Sequence, residues 1–527
     1  MKRWRWLGWP RAVQVHAGLA LLLVVWAALE SFGPVRSQGI QAATFDLMQR
    51  HRLWASAPDP RILIVDIDER SLADLSAEFG RWPWSRDTLA TVLQHGQTQG
   101  ALALVFDILF SDPDRIRPGG DRALDAAVRS GKLAFFEAAR LPASSDAASE
   151  LTLDRVPGLA VPRTTPLSPA PPPAPRIALI LPFMQSMLEA GRIGTNTVGL
   201  DSDGKLRRFA AVEALHGWSV LSLPMALARS LGVPLEDSGE PRLVVWRGQV
   251  DAYPRVPFSR VLACAEQPGR SDCVSLAGKI VIVGASAPSL HDLVASPLAA
   301  HHVGVDILAT LIDNAIHRRW YREPAPLLRF GLALAALALA WQATRRRAAG
   351  ATQGALIALP IGLTLLGYAS LHSQWLYLDL MLPAGMALTF LSVVKLHDAL
   401  RRRLFGLNTR PGAGRSALAT GSPARWAEQL ERQVFDLAGR HGLAVSGGLH
   451  TAGAWGRADS CWVLWNLDPA ALPGLDGSLR RANPAAWTLP FEVTDDAQRD
   501  LHLALARACP AVAPADHVLQ GVNHAAV

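Results

Sequence analysis

The C-terminal part of the sequence lacks the catalytic signatures of enzymes that act on nucleotides. Residues 404–527 contain no glycine-rich loop with a kinase lysine, no His-Arg-Asp, no Asp-Phe-Gly and no Asp-x-Gly-x-Gly. The paired metal-binding aspartates of a nucleotide cyclase are also absent. These absences predict a tail that is not an enzyme. The alternative, from another class, is a signalling enzyme of the cyclase or kinase type whose motifs have diverged beyond recognition within residues 422–510.

Charged residues are scarce in four long segments. These segments comprise residues 12–29, 326–344, 351–371 and 375–397. A helix needs about 20 apolar residues to cross a hydrocarbon core of ~30 Å, so each segment is predicted to be a transmembrane helix. No small-residue cleavage site follows the first segment, which favours a retained anchor over a removed signal peptide.

Clusters of basic residues predict the orientation of these helices. They comprise Lys2, Arg3, Arg5 and Arg11 in the N-terminal segment 1–11, residues 345–347 and residues 401–403. Positively charged loops stay in the cytoplasm, and all three clusters give the same answer. Residues 30–325 are therefore expected outside and both termini inside. An excess of arginine over lysine and abundant alanine suggest a GC-rich bacterial genome, so we predict a multi-pass protein of the bacterial inner membrane with a periplasmic domain.

The predicted topology also guides the interpretation of the net charge and of the cysteines. The formal net charge of +7 sits largely beside the apolar segments, where it meets anionic lipid head groups, so no nucleic-acid partner is expected. Cys264 and Cys273 lie outside in one loop and predict a disulfide in an oxidising compartment, with two unpaired thiols as the alternative. Cys461 and Cys509 lie inside and are expected to be reduced.

The external segment alternates short β-branched runs with helical patterns. Strands are predicted at residues 61–68, 101–106, 132–136, 207–215, 243–246 and 279–283, and helices beginning at Ser85 and at residues 120–130, 221–231 and 305–316. This alternation predicts an α/β domain with a mostly parallel sheet and flanking helices. Residues 157–175 are rich in proline and are predicted to form an exposed polyproline-like insertion.

Aspartates follow the first two predicted strands. Asp66, Asp68 and Asp107 would lie along one edge of the sheet, where open α/β sheets usually place ligands. Together with Asp292 they could bind a cationic ligand or a metal. The favoured alternative is a structural ion pair between Arg86 and one of the strand-end acids.

Two further candidate metal sites are rejected from the sequence. Residues 201–204, Asp-Ser-Asp-Gly, open like a calcium loop but are not followed by its glycine and final glutamate, so a turn is predicted. His291, His301 and His302 have no evident fourth ligand for zinc and are expected to be exposed loop histidines. We therefore expect no metal and no cofactor.

Several motifs occur in a fixed order between residues 40 and 320. They include residues 64–69 (Ile-Val-Asp-Ile-Asp-Glu), 81–86 (Arg-Trp-Pro-Trp-Ser-Arg), 105–111 (Val-Phe-Asp-Ile-Leu-Phe-Ser), Asn196, 201–204, 207–208 (Arg-Arg), 279–285, Asp292 and 304–306 (Gly-Val-Asp). With one apolar segment before them and three after, they resemble the CHASE type 2 family of extracellular sensor domains of bacterial transmembrane signalling proteins. The resemblance implies reception of an external signal whose nature is undefined. Trp82 and Arg86 join the aspartates as candidate ligand-binding residues.

The tail follows a predicted linker at residues 398–421. Residues 422–527 are predicted to form a small α+β cytoplasmic domain with a helix from Ser422 to about Arg440, a strand at residues 461–467 and a helix between Thr494 and about Pro510.

The predicted function is a sensory receptor or scaffold that detects an unknown small-molecule or protein signal outside. It would relay that signal to a cytoplasmic protein partner, with a homodimer among the oligomeric states left open. A hydrolase built on Asp66, Asp68 and Asp107 is a weaker hypothesis, because neither a nucleophile nor oxyanion donors are evident.

Overall fold

A computed structural model describes residues 11–33, 38–115, 117–163, 170–235, 239–267, 269–345, 351–407, 416–423, 427–441, 443–451, 459–482 and 486–493. The chain forms two compact units. The first, here called the large unit, comprises Ser37–Ala325 and Leu365–Asp379. The second, here called the helix–tail unit, comprises Met1–Arg36, Pro326–Thr364 and Leu380–Val527.

The described residues contain the following elements. The strands are β1 (Ile62–Ile67), β2 (Ala103–Phe106), β3 (Ala134–Arg140), β4 (Ala160–Pro162), β5 (Leu179–Ile180), β6 (Ile193–Thr195), β7 (Arg208–Phe209), β8 (Val212–Leu215), β9 (Trp218–Leu221), β10 (Arg242–Val244), β11 (Arg255–Pro257), β12 (Ile280–Ala285), β13 (Leu293–Val294), β14 (His302–Val303), β15 (Trp320–Tyr321), β16 (Ser416–Pro423), β17 (Ala444–Thr451), β18 (Asp459–Leu467) and β19 (Trp487–Glu492). The α-helices are α1 (Arg11–Phe32), α2 (Gln38–Arg50), α3 (Glu69–Phe79), α4 (Arg86–Gln99), α5 (Pro118–Ser130), α6 (Gln185–Glu189), α7 (Leu223–Ser230), α8 (Phe258–Glu266), α9 (Gly304–His317), α10 (Pro326–Arg345), α11 (Ala351–Ser370), α12 (Met381–Leu407), α13 (Ala427–His441) and α14 (Leu472–Ala482).

The central sheet of the large unit is mostly parallel, as predicted. Its order is β11–β1–β12–β2–β3, with β6 parallel to β3 and β5 antiparallel to the end of β3. Every residue of β1 is buried because helices cover both faces, which is why its sequence is a continuous run of Ile, Leu and Val instead of an alternating pattern. The sequence interpretation of an α/β domain is therefore confirmed.

The two faces of the sheet have separate cores. Leu63 and Val65 point into a core shared with Leu93 of α4, Leu124 of α5 and Val261 of α8. Ile62 and Ile64, on the alternate positions of β1, point into a core shared with α7 and α9. The period of two along β1 therefore divides its apolar side chains between two helical layers.

The proline-rich segment is only partly what the sequence predicts. β4 pairs antiparallel with β9, and the indole Nε1 of Trp218 donates to the carbonyl oxygen of Pro172 at 3.2 Å. Leu159 is fully buried. The prediction of an exposed insertion is wrong for the buried Leu159 and for β4, which pairs within a small sheet, whereas Pro171 and Pro173 are exposed. Residues 164–169 lie outside the described part of the chain. The single strand predicted at residues 207–215 is likewise two strands, β7 and β8, in different sheets.

Within the described part of the chain, three helices are long and apolar enough to cross a membrane. They are Gln14–Phe32 within α1, Pro326–Thr344 within α10 and Thr352–Ser373, which contains most of α11. A shorter apolar stretch, Met381–His397, opens α12. The fourth segment was predicted to start at residue 375, and that start is wrong, because residues 374–380 are not helical and Trp375 and Tyr377 belong to the large unit.

The tail has an α+β fold, as predicted. An antiparallel sheet of order β17–β18–β16–β19 packs against α13 and α14 around Leu418, Leu430, Leu464 and Leu475. β18 matches the predicted strand. The predicted linker end and helix start are wrong, because β16 occupies Ser416–Pro423 and α13 begins at Ala427. The helix predicted from Thr494 lies outside the described residues, as does Cys509.

Candidate functional site at the carboxyl edge of the sheet

Asp66 lies at the carboxyl end of β1 and forms an ion pair with Arg255. The register of β1 and β11 brings the two side chains together, with 3.0 Å between Arg255 Nη1 and Asp66 Oδ2. Arg255 Nη2 also donates to Asp306 Oδ1 in the first turn of α9, at 2.6 Å. One guanidinium therefore bridges two buried carboxylates. The predicted pairing of Arg86 with one of the strand-end acids is wrong, because Asp66 pairs with Arg255 and Arg86 pairs with Asp121.

This bridge leaves polar atoms without a partner. Oδ1 of Asp66 and Oδ2 of Asp306 are buried and accept no hydrogen bond from the described residues. Burial outweighs the attraction of Arg255 and raises the pKa of Asp306 to about 6. Asp306 can therefore change protonation state close to neutral pH.

Arg86 serves a different cluster. It is the first residue of α4, and its Nη1 donates to Asp121 of α5. Its guanidinium carbon lies 5.0 Å from the ring centroid of Phe183 and 5.6 Å from that of Phe110. Arg86 thus joins two helices and two aromatic rings, and does not reach the strand-end aspartates.

Asp68 and Trp82 have structural roles. Asp68 is the N-cap of α3, and its Oδ1 accepts a hydrogen bond from the backbone nitrogen of Ser71 at 2.7 Å. Trp82 contacts Trp84 edge to face at 5.0 Å, and the buried Trp84 stacks on Phe258 of α8 at 5.3 Å. The two tryptophans therefore pack the turn before α4.

A second carboxyl cluster surrounds Asp107, which directly follows β2. The amide nitrogen of Asn196 donates to Asp107 Oδ1 and to Glu137 Oε2 of β3, both at 2.9 Å. Asp292 is close enough to act electrostatically on both acids. Burial, and then repulsion from Glu137 and Asp292, raise the pKa of Asp107. Burial raises the pKa of Glu137 against the hydrogen bond from Asn196, with repulsion from Asp292 adding to the rise, and burial raises the pKa of Asp292. Asp107 and Glu137 are therefore arranged to share a proton.

The structure therefore divides the predicted site into two parts. Asp107 and Asp292 lie in one cluster, and Asp66 lies in the other. Glu137 and Arg255 were missed by sequence reasoning. A charged residue inside the apolar strand 134–140 was a signal for Glu137, whereas nothing local marks Arg255, because its partner Asp66 is 189 positions away in the sequence.

A third ionic cluster is centred on Arg207. Its guanidinium makes a bidentate contact with Asp46 of α2, Nε to Oδ1 at 2.8 Å and Nη2 to Oδ2 at 2.9 Å. It also donates to Asp201 and Asp203 at 2.9 and 2.6 Å. Arg207 holds the pKa of Asp203 at about 2. The turn at residues 201–204 is thus present as predicted, and its aspartates surround a guanidinium.

Comparison with known families identifies this region. Residues 18–343 match the family model of the CHASE2 domain. The chain belongs to the CHASE2 domain family. No curated protein and no solved structure matches it. Family membership confirms the resemblance drawn from the sequence motifs and implies an extracellular sensory role in signalling. The matched region contains the central sheet and all three ionic clusters.

The CHASE2 domain also contains the histidines considered for zinc. His302 was expected to be exposed and is not: it is buried, and its Nδ1 lies 2.8 Å from Oγ of Ser296. Burial lowers the pKa of His302 to about 4, which keeps the imidazole neutral. His291 and His301 are exposed. The three histidines are therefore in different environments.

Cys264 and Cys273 form a disulfide in the structure, with 2.05 Å between the two sulfur atoms. Cys264 lies in α8, whose apolar face packs on β1. The disulfide attaches the loop that follows α8 to this helix, at the amino end of β12.

Proposed function

We propose that this chain is a multi-pass sensory receptor or scaffold of the bacterial inner membrane. Its CHASE2 domain lies in the periplasm, detects an external signal and relays it to the cytoplasm, where both termini lie. The apolar helices in α1, α10 and α11, the apolar start of α12 and the three basic clusters support this topology.

The proposed relay is supported by ion pairs between the CHASE2 domain and chain segments that adjoin the apolar helices in the sequence. Arg207 binds Asp46 in α2, the helix that follows α1. The neighbouring Arg208 binds Glu323 at 3.0 Å, shortly before α10 begins at Pro326. A rearrangement around Arg207 would therefore affect both the segment that follows α1 and the segment that precedes α10.

A third segment is attached in the same way. Between α11 and α12, the backbone nitrogen of Tyr377 donates to the oxygen of Arg322 at 3.1 Å, and the nitrogen of Arg322 donates to the oxygen of Trp375 at 2.9 Å. Tyr321 packs near Tyr377, and its hydroxyl donates to the oxygen of Leu371 at 2.9 Å. This connection gives the CHASE2 domain a mechanical link to the later helices.

In this proposal the tail passes the signal to a cytoplasmic protein and has no catalytic activity. The absence of kinase and cyclase motifs from its sequence supports this function. A signalling enzyme with divergent motifs is the alternative, and assays of nucleotide turnover distinguish the two.

Reporter fusions test the proposed topology. A reporter active only in the periplasm should work when fused after Ser286 and fail after Gly414. A reporter active only in the cytoplasm should give the reverse pattern. A cytoplasmic reporter that works after Ser286 would overturn the topology and the proposed function together.

A further inference from the structure

We infer that the CHASE2 domain rests on the membrane surface through an apolar patch formed by Leu53, Trp54 and Trp375. The proposed partner is lipid, at the boundary between head groups and acyl chains in the leaflet that faces the CHASE2 domain. This inference rests on the proposed function in one respect: it requires that α11 spans the membrane.

The side chains of the patch are unusually exposed for their type. Leu53 is 70% exposed, Trp54 is 69% exposed and Trp375 is 60% exposed. Single exposed apolar residues are ordinary on protein surfaces, but two tryptophans and a leucine on neighbouring loops form a surface suited to an apolar partner.

The patch lies beside the end of a candidate transmembrane helix. The ring of Trp54 contacts that of His372 with centroids 4.8 Å apart, and the candidate span Thr352–Ser373 includes His372. The hydroxyl of Tyr368 donates to the oxygen of His51 at 2.7 Å and accepts from the nitrogen of Leu53 at 3.0 Å. These contacts place the loop at residues 51–54 at the level where that span ends.

Aromatic side chains are enriched at this level of membranes. Tryptophan places an apolar ring among the acyl chains and a polar N–H among the head groups. Trp375 is the second residue after the span, and Trp54 reaches the same level from a distant part of the sequence. This continuity with a span distinguishes lipid from other apolar partners.

Helix α2 of the large unit carries further exposed apolar side chains. Ile40 and Leu47 are exposed and lie about two turns apart on one face, whereas Phe45 and Met48 on the other face are buried in the domain. α2 follows the candidate span Gln14–Phe32 closely in the sequence. A helix with an exposed apolar face that follows a span in the sequence has the character of an interfacial helix.

Fluorescence quenching in nanodiscs tests this inference on the full chain. Cys461 and Cys509 are replaced by Ser, the Cys264–Cys273 disulfide is kept, and a single cysteine is introduced by Leu53→Cys or Trp375→Cys for labelling with NBD. Leu102→Cys is the matched control, because Leu102 is also an exposed leucine but lies at the amino end of β2. Ile361→Cys, at an exposed site in α11, reports on the span itself.

We expect doxyl-labelled lipid to quench NBD at positions 53, 375 and 361, and not at 102. Aqueous iodide should quench NBD at 102 most strongly. If only position 361 is quenched by lipid, the inference is wrong and the spanning helix stands. If 361 is not quenched by lipid, the proposed topology is wrong. Protection of position 53 from both quenchers would assign the patch to a second protein copy and overturn the inference.

Discussion

The buried guanidinium of Arg207 provides a quantitative test of what holds the CHASE2 domain together. Arg207 is 2% exposed and binds the carboxylates of Asp46, Asp201 and Asp203. Arg207→Met keeps much of the aliphatic stem and removes the charge, which leaves Asp46 buried with a weaker set of partners. Removing one partner of a buried ion pair costs about 3–5 kcal/mol of unfolding free energy.

The structure indicates the lower end of that range. Nζ of Lys205 lies 2.7 Å from Oδ2 of Asp46 and remains as a partner after the substitution. Asp203 is nearly half exposed and can be rehydrated. We therefore expect a loss of about 3 kcal/mol, which lowers the melting temperature by roughly 6–12 °C at 2–4 °C per kcal/mol for a domain of this size class.

Differential scanning fluorimetry of the full chain in nanodiscs measures this shift. Arg129→Met is the matched control, because Arg129 also pairs with two acids, Asp125 and Glu189, but is 54% exposed. Exposed pairs contribute about 0–1 kcal/mol, so the control should melt close to the wild type. Equal melting temperatures for the two variants would refute the conclusion that the Arg207 cluster stabilises the domain.

Three further predictions concern the carboxyl edge and the tail. Asp66→Ala should lower the melting temperature, because Arg255 loses a buried partner. Asp251→Ala, the control, removes an exposed partner of the same arginine and should leave the melting temperature unchanged. If Asp66→Ala instead kept its melting temperature and lost a ligand-induced shift, Asp66 would be assigned to ligand binding. The pKa of Asp306 is raised to about 6, so its contribution to stability is complete below the unfolded value of about 4 and is lost as the pH rises through 6. The melting temperature of wild type should therefore approach that of Asp306→Asn as the pH falls from about 7 to about 5, and a gap independent of pH would contradict the assigned titration. The purified full chain, which includes residues 404–527, should leave ATP and GTP unchanged in the presence of Mg²⁺. Turnover abolished by replacing Asp468 or Asp476 would establish the enzymatic alternative.

The parts of the fold that depend on local pattern could be predicted from the sequence. The continuous apolar run of β1 predicts a strand covered on both faces, and all of its residues are buried. The helical spacing of Val305, Leu308 and Ile312 recurs in α9. The family motifs allowed the sensor class to be recognised before any geometry was known.

The errors concern contacts made over long distances in the sequence. The pairing of Asp66 with Arg255 depends on the parallel register of β1 and β11, which no local pattern encodes. The start of α12 was misplaced because hydropathy does not distinguish a spanning helix from an apolar loop. Tyr377 and Leu380 are buried yet lie outside any helix. β16 resembled a linker because small residues dominate it, and it is a strand because β18 and β19 pair on either side.

The attachment of Leu365–Asp379 makes the large unit, which contains the central sheet of the CHASE2 domain, discontinuous in the sequence. A fragment cut at residues 38 and 325 would lose the backbone oxygen of Leu371 that receives Arg52 Nη2 and the hydroxyl of Tyr321, both at 2.9 Å. It would also expose the ring of Phe45, which packs on Tyr377 at 5.1 Å. The smallest autonomous version of this sensor therefore includes two of its later helices, and gene fusions that exchange the domain alone would transfer an incomplete fold.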